Sequence, residues 1–129
     1  MGIISGVSVE RKKAGFSDLT NDSMLTELAR DRSRDMSSRN YFSHTNPDGK
    51  NIFDIMDDVG YSYTAAGENI GVTTNPEDTK VALELMGAWM KSAGHKRNIL
   101  DKSFTRIGVG VYRGSDGKAF ATQVFSRPQ

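Results

Sequence analysis

Near its C-terminus the chain runs Arg106-Ile107-Gly108-Val109-Gly110-Val111-Tyr112 and, after a short break, Lys118-Ala119-Phe120-Ala121-Thr122-Gln123-Val124-Phe125. Apolar residues alternate with smaller ones in the first of these segments, and both segments are typical of strands. The intervening Gly114-Ser115-Asp116-Gly117 predicts a hairpin turn, which makes the two strands antiparallel. Gly108 and Gly110 within the first strand indicate either a close approach by another backbone segment or a bulge.

Upstream of this hairpin, apolar residues recur at helical spacing. Four helices are predicted. The first ends at Gly15, and the second runs from about Asn21 to Arg39 with Thr20 or Asn21 as its cap. A short third helix stops at Gly60, and a fourth starts at Asn75-Pro76 and ends near Gly94. Residues 61–71, rich in Gly and small side chains, are predicted to be irregular. The order of elements, with helices first and paired strands last, predicts an α+β fold in which helices cover an antiparallel sheet.

The side chains of these helices divide into buried and solvated sets. In the second helix the predicted core stripe is Met24, Leu25, Leu28, Ala29 and Met36, and the opposite face is charged, with Glu27, Arg30, Asp31, Arg32, Arg34 and Asp35. Charged residues at helical spacing are typical of surface ion pairs. The basic cluster Arg11-Lys12-Lys13 is predicted to be a solvated helix end. Trp89 and Phe42 are predicted to be core residues.

Composition limits the class of protein. The 129 residues, with 36% hydrophobic and 26% charged side chains, predict one globular domain spanning residues 1–129. Lys plus Arg number 17 and Asp plus Glu 16, so the near-balanced charge gives no electrostatic case for nucleic acid or an anionic membrane as partner. The absence of cysteine excludes disulfides, and no apolar run reaches the roughly 20 residues of a transmembrane segment. The chain begins without the features of a signal peptide, so any export signal is expected to have been removed.

The chain has only two histidines, and each lies in a turn-rich segment. His44 lies in Tyr41–Gly49 and His95 in Ser92–Asn98, while Glu68 lies between them in the chain. Two imidazoles and a carboxylate suit zinc and leave a coordination position for water or substrate, although no His-Glu-x-x-His helix is present. The alternative is that both histidines end helices and hydrogen-bond free carbonyls there. Spacing alone leaves both interpretations open.

The ordered motifs around these residues carry a resemblance to a known family. They are Tyr41–Thr45, Gly67–Ile70, Trp89–Leu100, Phe104–Val111 and Thr122–Phe125. Together they resemble the CAP superfamily, the SCP-like family of cysteine-rich secretory proteins, antigen 5 and plant pathogenesis-related 1 proteins, and its bacterial branch above all. The resemblance covers nearly the whole chain.

This resemblance implies a three-layer α-β-α sandwich with a central antiparallel sheet. It also implies a cleft with two histidines and acidic residues, which in some members binds a divalent metal. His44, Glu68 and His95 match the motif positions directly. The family often has a second Glu three residues after the helix Trp, where this chain has Ser92, so the acidic set is incomplete. Family members are mostly exported and have been linked to sterol and lipid binding, defence and signalling.

Three functional hypotheses follow. The first is a secreted or cell-envelope CAP domain that binds a divalent metal (zinc preferred), a lipid or a peptide at a cleft of His44, Glu68 and His95. The second is a metal-dependent hydrolase with Glu68 as general base, although the family has no established general catalytic activity. The third is a structural or partner-binding domain in which the site is a relic.

Overall fold

The C-terminal hairpin forms as predicted and lies at the centre of the fold. The computed structural model describes residues 2–129, in chain order α1 (Ile3–Lys13), β1 (Thr20–Asn21), α2 (Ser23–Ser38), α3 (Ile52–Asp58), β2 (Tyr63–Thr73), α4 (Asp78–Met90), α5 (Ala93–Ile99), β3 (Arg106–Arg113) and β4 (Ala119–Pro128). Strands β3 and β4 are antiparallel, with Arg106 opposite Ser126 and Arg113 opposite Ala119. Gly117, with a φ of 88°, occupies the left-handed region that the turn requires.

The sheet has the order β1-β3-β4-β2. Strand β2 pairs antiparallel with β4, which extends the hairpin to three antiparallel strands. The two residues of β1 pair parallel with β3 at the other side, so the whole sheet is mixed. The predicted antiparallel core is therefore confirmed, with a short parallel addition. Strand β2 lies at an edge of the sheet.

Helices cover both faces of the sheet and make the three-layer sandwich. On one face, α1, α4 and α5 pack against β3 and β4 through a core that includes Ile3, Val7, Val81, Leu85, Trp89, Ile99, Ile107, Ala121 and Phe125. On the other face, α2 and α3 pack through Leu25, Leu28, Ala29, Ile52, Met56 and Val124. Because Val124 and Phe125 are adjacent in β4 and face opposite layers, this strand is buried on both sides.

Helix α2 lies unusually close to β3, which is the first of the two interpretations that the strand glycines allowed. A Cβ atom at Gly108 would lie 2.1 Å from the backbone carbonyl carbon of Leu25, and one at Gly110 would lie 2.3 Å from the backbone nitrogen of Arg30. Only glycine permits this backbone approach. The contact brings the side chains of α2 down onto the sheet.

The predicted start of α2 was wrong by two residues. Thr20 and Asn21 do not cap the helix, because their backbones pair with β3 instead. Asp22 is the cap, and its Oδ1 accepts a hydrogen bond from the Leu25 amide at 3.0 Å. Met24, predicted to be core, is 40% exposed.

The fourth predicted helix ends earlier than expected, and a separate helix that was not predicted follows it. Asn75 does not cap α4 directly; its Oδ1 accepts from the Glu77 amide at 3.0 Å in a turn that precedes the helix. Helix α4 ends at Met90, and the separate helix α5 then carries Gly94 and His95. The break turns the chain so that α5 packs beside β2.

The prediction of irregular structure for residues 61–71 was wrong, because Tyr63–Thr73 is strand β2. Its small residues serve packing: a Cβ atom at Gly67 would lie 3.0 Å from Asn98 Oδ1, and one at Gly71 would lie 3.1 Å from the Trp89 ring. Small residues therefore let α4 and α5 lie directly on this edge strand.

Two further burial predictions were wrong. Arg11 is only 2% exposed, because its guanidinium donates to the carbonyls of Ser17, Ile99 and Asp101 at 2.8, 3.0 and 2.8 Å. Phe42 is 50% exposed, and its ring centroid lies 6.3 Å from that of Phe120. Trp89 is buried as predicted, with its indole N–H donating to the Ile70 carbonyl at 3.0 Å.

Candidate functional site

Glu68 is buried at the edge of the sheet and pairs with Arg32. The alternation of β2 directs Glu68 toward α2 and its neighbour Asn69 toward α5. Arg32 Nε donates to Glu68 Oε2 at 2.9 Å, and Arg32 Nη2 donates to Oε1 at 3.1 Å. Both side chains are nearly inaccessible, at 3% and 2% exposure. Such a two-bond pair fixes the plane of the carboxylate.

Arg32 was predicted to be solvated, and this was wrong. A signal was present in the sequence, because Arg32 lies four residues after Leu28 and four before Met36, both of which are buried. It therefore occupies a position within the buried stripe of α2. An arginine at such a position needs a buried anionic partner, which Glu68 supplies.

His44 contacts the same carboxylate. Its Nδ1 lies 2.8 Å from Glu68 Oε1, and its side chain remains 55% exposed. Its backbone carbonyl accepts a hydrogen bond from Arg32 Nη2 at 2.7 Å. The ring therefore bonds to a carboxylate rather than to a free helix carbonyl, contrary to the capping alternative. The structure thus brings together two of the three predicted site residues, His44 and Glu68, by direct contact.

His95 lies in the first turn of α5 and contacts Ser92. Its Nδ1 lies 2.8 Å from Ser92 Oγ, so this ring also has a side-chain partner in place of a helix carbonyl. Burial lowers the pKa of His95 below its usual value, and the nearby positive charge of His44 lowers it further.

Two asparagines that were not predicted as site residues join the helix that carries His95 to the strand that carries Glu68. Asn69 Nδ2 donates to the backbone carbonyl of His95 at 3.1 Å. Asn98 Nδ2 donates to Asn69 Oδ1 at 2.9 Å and to the Glu68 carbonyl at 3.2 Å. The available signal was the position of Asn69 in a segment of small and apolar residues, where a buried amide must find partners. These bonds hold α5 against the strand that carries Glu68.

The hydrogen bonds determine which ring nitrogens can meet a ligand. Both rings use Nδ1 for a protein partner, which leaves Nε2 of each for another contact. An ionised carboxylate only accepts hydrogen bonds, so His44 Nδ1 carries the proton and neutral His44 presents an Nε2 lone pair. The Ser92 hydroxyl can donate or accept, so His95 can adopt either tautomer.

The predicted ligands fit a metal ion in part. Glu68 Oε1 and Oε2 both accept hydrogen bonds from Arg32, and Oε1 also contacts His44, so the carboxylate is already occupied. Among residues 2–129, no group of three or more His, Asp or Glu side chains is arranged to hold a metal ion. The two imidazoles, each with Nε2 available, are the donors that remain, and Glu68 fits the role of orienting His44.

Comparison with known proteins agrees with this architecture. The chain matches the CAP family, the cysteine-rich secretory protein family, over residues 5–125. It is 42% identical over 108 residues to the uncharacterised protein YkwD of Bacillus subtilis, an alignment covering 84% of this chain and 40% of YkwD. It is 34% identical over 111 residues to the uncharacterised membrane protein YlbC of Bacillus subtilis, covering 86% of this chain and 31% of YlbC.

A solved structure of an extracellular protein containing a SCP domain, from Bacillus anthracis, is also similar. It is 30% identical with a TM-score of 0.81, covering 94% of this chain and 37% of that one. The chain thus spans less than half the length of these relatives. Within residues 2–129, no helix has the length and apolar character needed to cross a membrane. From the family match and these likenesses we conclude that the chain belongs to the cysteine-rich secretory protein family, CAP.

Proposed function

We propose that this chain is a ligand-binding domain of the cell exterior or cell envelope. In this proposal His44 and His95 bind a divalent cation, zinc by preference, each through Nε2. The observation that carries the proposal is the 2.8 Å contact between His44 Nδ1 and Glu68 Oε1. A carboxylate on the far nitrogen is the arrangement that orients metal-ligating histidines and raises their basicity.

The cation would leave coordination positions open to water or to a second ligand. Zinc accepts imidazole nitrogen and prefers four ligands, so two protein donors leave room for exogenous ones. Ser92 stands where the family often has a second acid, which removes a negative charge from the neighbourhood of His95. We therefore expect modest affinity, and a role in binding rather than in a tightly metallated active site.

A hydrolase with Glu68 as general base is less well supported. A general base must reach the proton that it abstracts, directly or through one water. Glu68 is 2% exposed, and both its oxygens accept hydrogen bonds from Arg32. These contacts support Glu68 as an orienting group. If peptide, ester or peptidoglycan hydrolysis were detected and were lost in Glu68→Ala but kept in His44→Ala, the general-base role would be favoured instead.

Calorimetric titration with zinc tests the cation proposal. The chain has two histidines and no cysteine, so in tag-free protein any imidazole that binds zinc must belong to His44 or His95. We expect binding heat for the natural sequence at pH 7.5 and its loss in the His44→Ala/His95→Ala double variant. Equal heats for the two proteins would refute the proposal. Because ligating imidazoles must be neutral, affinity should also fall as the pH is lowered.

The extracellular setting is supported by the description of the Bacillus anthracis relative as an extracellular protein. Detection of the full-length protein in fractions of the cells that produce it tests this setting. We expect the protein in the medium or the envelope fraction. Retention in the cytosol would contradict the proposal.

A second candidate function is the binding of an apolar ligand away from the histidines. A cavity of about 510 Å³ lies between α1, α4 and β3, and Ile3, Ile4, Val81, Val109 and Val111 contribute to its lining. This volume falls in the range of small-molecule sites. Displacement of a fluorescent fatty acid tests it: Val111→Asp, at an exposed position of the lining, should abolish binding, whereas Leu83→Asp, an exposed position of α4 outside the lining, should not. Equal binding by both variants would contradict it.

A further inference from the structure

Arg32 makes a closed set of contacts with Glu68 and His44. The guanidinium bonds both oxygens of Glu68 at 2.9 and 3.1 Å and also donates to the backbone carbonyl of His44 at 2.7 Å. The imidazole of His44 returns to Glu68 Oε1 at 2.8 Å. One buried side chain thus holds both the backbone and, through Glu68, the ring of His44.

This arrangement carries a cost for the fold. Within residues 2–129, Arg32 Nη1 is buried without a hydrogen-bond partner, and a buried unpaired donor is unfavourable. The pair it forms with Glu68 is itself almost fully buried. Replacing a buried ion pair with apolar side chains of similar volume is often neutral or stabilising. A contribution to stability therefore does not explain why Arg32 and Glu68 occupy these positions.

The same contacts have a chemical consequence at His44. Because the Arg32 guanidinium pairs with Glu68, the carboxylate is in its acceptor-only form, and the neutral His44 ring must carry its proton on Nδ1. Free histidine prefers the other tautomer, with the proton on Nε2. The hydrogen bond from Arg32 to the His44 carbonyl also fixes the position of the His44 backbone, from which the ring extends. The other ring nitrogen, Nε2, is thereby kept as a lone-pair donor on a side chain that is partly exposed.

We propose that Arg32 is a positioning residue, which acts through Glu68 and the His44 backbone to present the His44 Nε2 lone pair to a ligand. In this account the Arg32–Glu68 pair serves the site rather than the stability of the fold. The consequence for cation affinity rests on the proposed function, whereas the consequence for the His44 tautomer does not. The two are measured separately.

The tautomer test uses nitrogen-15 NMR of histidine-labelled, tag-free protein at pH 8 without metal. Only two histidines contribute signals. In the natural sequence we expect His44 with a protonated Nδ1 and an unprotonated Nε2. In Arg32→Met the signals should shift toward the Nε2-protonated tautomer, and Arg32→Lys should fall between. Arg34→Met is the matched control, because Arg34 is 62% exposed and pairs with Asp31 on the same helix.

The affinity test uses zinc calorimetry on the same proteins. Loss of an orienting partner of a metal-bound histidine typically weakens binding about 10- to 100-fold, and we expect this range for Arg32→Met. Arg34→Met should bind zinc like the natural sequence. A tautomer shift in Arg32→Met without zinc binding by any protein would support the positioning role and refute the cation proposal. Unchanged His44 signals in Arg32→Met would overturn the positioning role.

A charge-balanced double variant, Arg32→Met/Glu68→Leu, separates positioning from stability even if Arg32→Met does not fold. It leaves no buried charge unpaired at this place. We expect its melting temperature to equal or exceed that of the natural sequence while the His44 tautomer is no longer fixed. A melting temperature far below the natural value would show that the pair serves the fold and would overturn the proposal.

Discussion

Asn69 Nδ2 donates a hydrogen bond to the backbone carbonyl of His95 at 3.1 Å. The residue that follows Glu68 in β2 thus holds the helix that carries the second histidine. The same amide nitrogen donates to Gln123 Oε1 at 2.9 Å. Because neighbouring residues of a strand face opposite layers, β2 connects to His44 through Glu68 on one face and to His95 through Asn69 on the other. The two histidines approach the same edge strand from different layers.

Replacing Asn69 with Ala should affect both stability and the site. The change leaves Gln123 Oε1 without its donor and removes one of the two acceptors of Asn98 Nδ2, so the free energy of unfolding should fall by about 1–3 kcal/mol. Zinc affinity should fall as well, since α5 loses its tie to β2. Denaturant unfolding and calorimetry measure the two effects. Asn75→Ala, in the turn before α4, should leave zinc binding unchanged. If Asn69→Ala bound zinc as tightly as the natural sequence, the positioning of His95 by Asn69 would be contradicted.

Ser92→Glu should strengthen cation binding. The Ser92 hydroxyl lies 2.8 Å from His95 Nδ1, so a carboxylate at this position would place negative charge beside the second imidazole. We expect zinc affinity to rise by about tenfold, which corresponds to about 1.4 kcal/mol. Ser23→Glu, an exposed position at the start of α2, controls for added charge. Equal affinities for the two variants would indicate that Ser92 is not part of the cation site.

Gly108→Ala should strongly destabilise the fold. The added Cβ would lie 2.1 Å from the Leu25 carbonyl carbon, and backbone cannot yield as a flexible side chain does. We expect a loss of about 3 kcal/mol, at the upper end of typical overpacking costs. Gly87→Ala is the matched control, because a Cβ there meets nothing within 4 Å. Alanine in that helical position should be neutral or stabilising by about 0.5–1 kcal/mol. Equal stability of the two variants would contradict the close packing of α2 on β3.

Stability should depend on pH through His95. Burial and the charge of His44 lower the pKa of His95 in the folded protein, so below about pH 6.5 the unfolded chain binds a proton that the folded one does not. Stability is therefore retained above that pH and lost as the pH falls through the folded pKa. The free energy of unfolding of the natural sequence, minus that of His95→Gln, should decrease between pH 8 and pH 5. A difference that stays constant or grows on acidification would contradict this.

The fold could be predicted where local pattern and tertiary packing agree. The alternation in 106–112, the turn at Gly114–Gly117 and the glycines of β3 all point to a packed hairpin, and the structure contains one. Strand β2 was missed because its Gly and Ala residues have low intrinsic strand preference. Its pairing with β4 establishes the strand, and its small residues let α4 and α5 pack on it; both are tertiary contacts. The two-residue β1 is too short for any periodic signal.

The candidate site was only partly visible in the sequence. His44, Glu68 and His95 stood out by residue type and by resemblance to the family, and the structure joins His44 to Glu68 directly. Arg32 did not stand out, because a charged residue on a charged helix is normally solvated. Its burial depends on the closeness of α2 to β3 and on the carboxylate across the layer. The spacing from Leu28 and Met36 indicated a position within the buried stripe, but neither of these long-range contacts can be read from spacing within one helix.

Zinc titration of histidine-labelled, tag-free protein followed by nitrogen-15 NMR tests the two-imidazole site most directly. Each ring nitrogen of His44 and His95 gives its own signal, so the coordinating atom can be identified. We predict that the Nε2 signals of both rings move together with a single midpoint, at one zinc per chain, while His44 Nδ1 stays protonated. Movement of only one ring, or coordination through His44 Nδ1, would contradict the account.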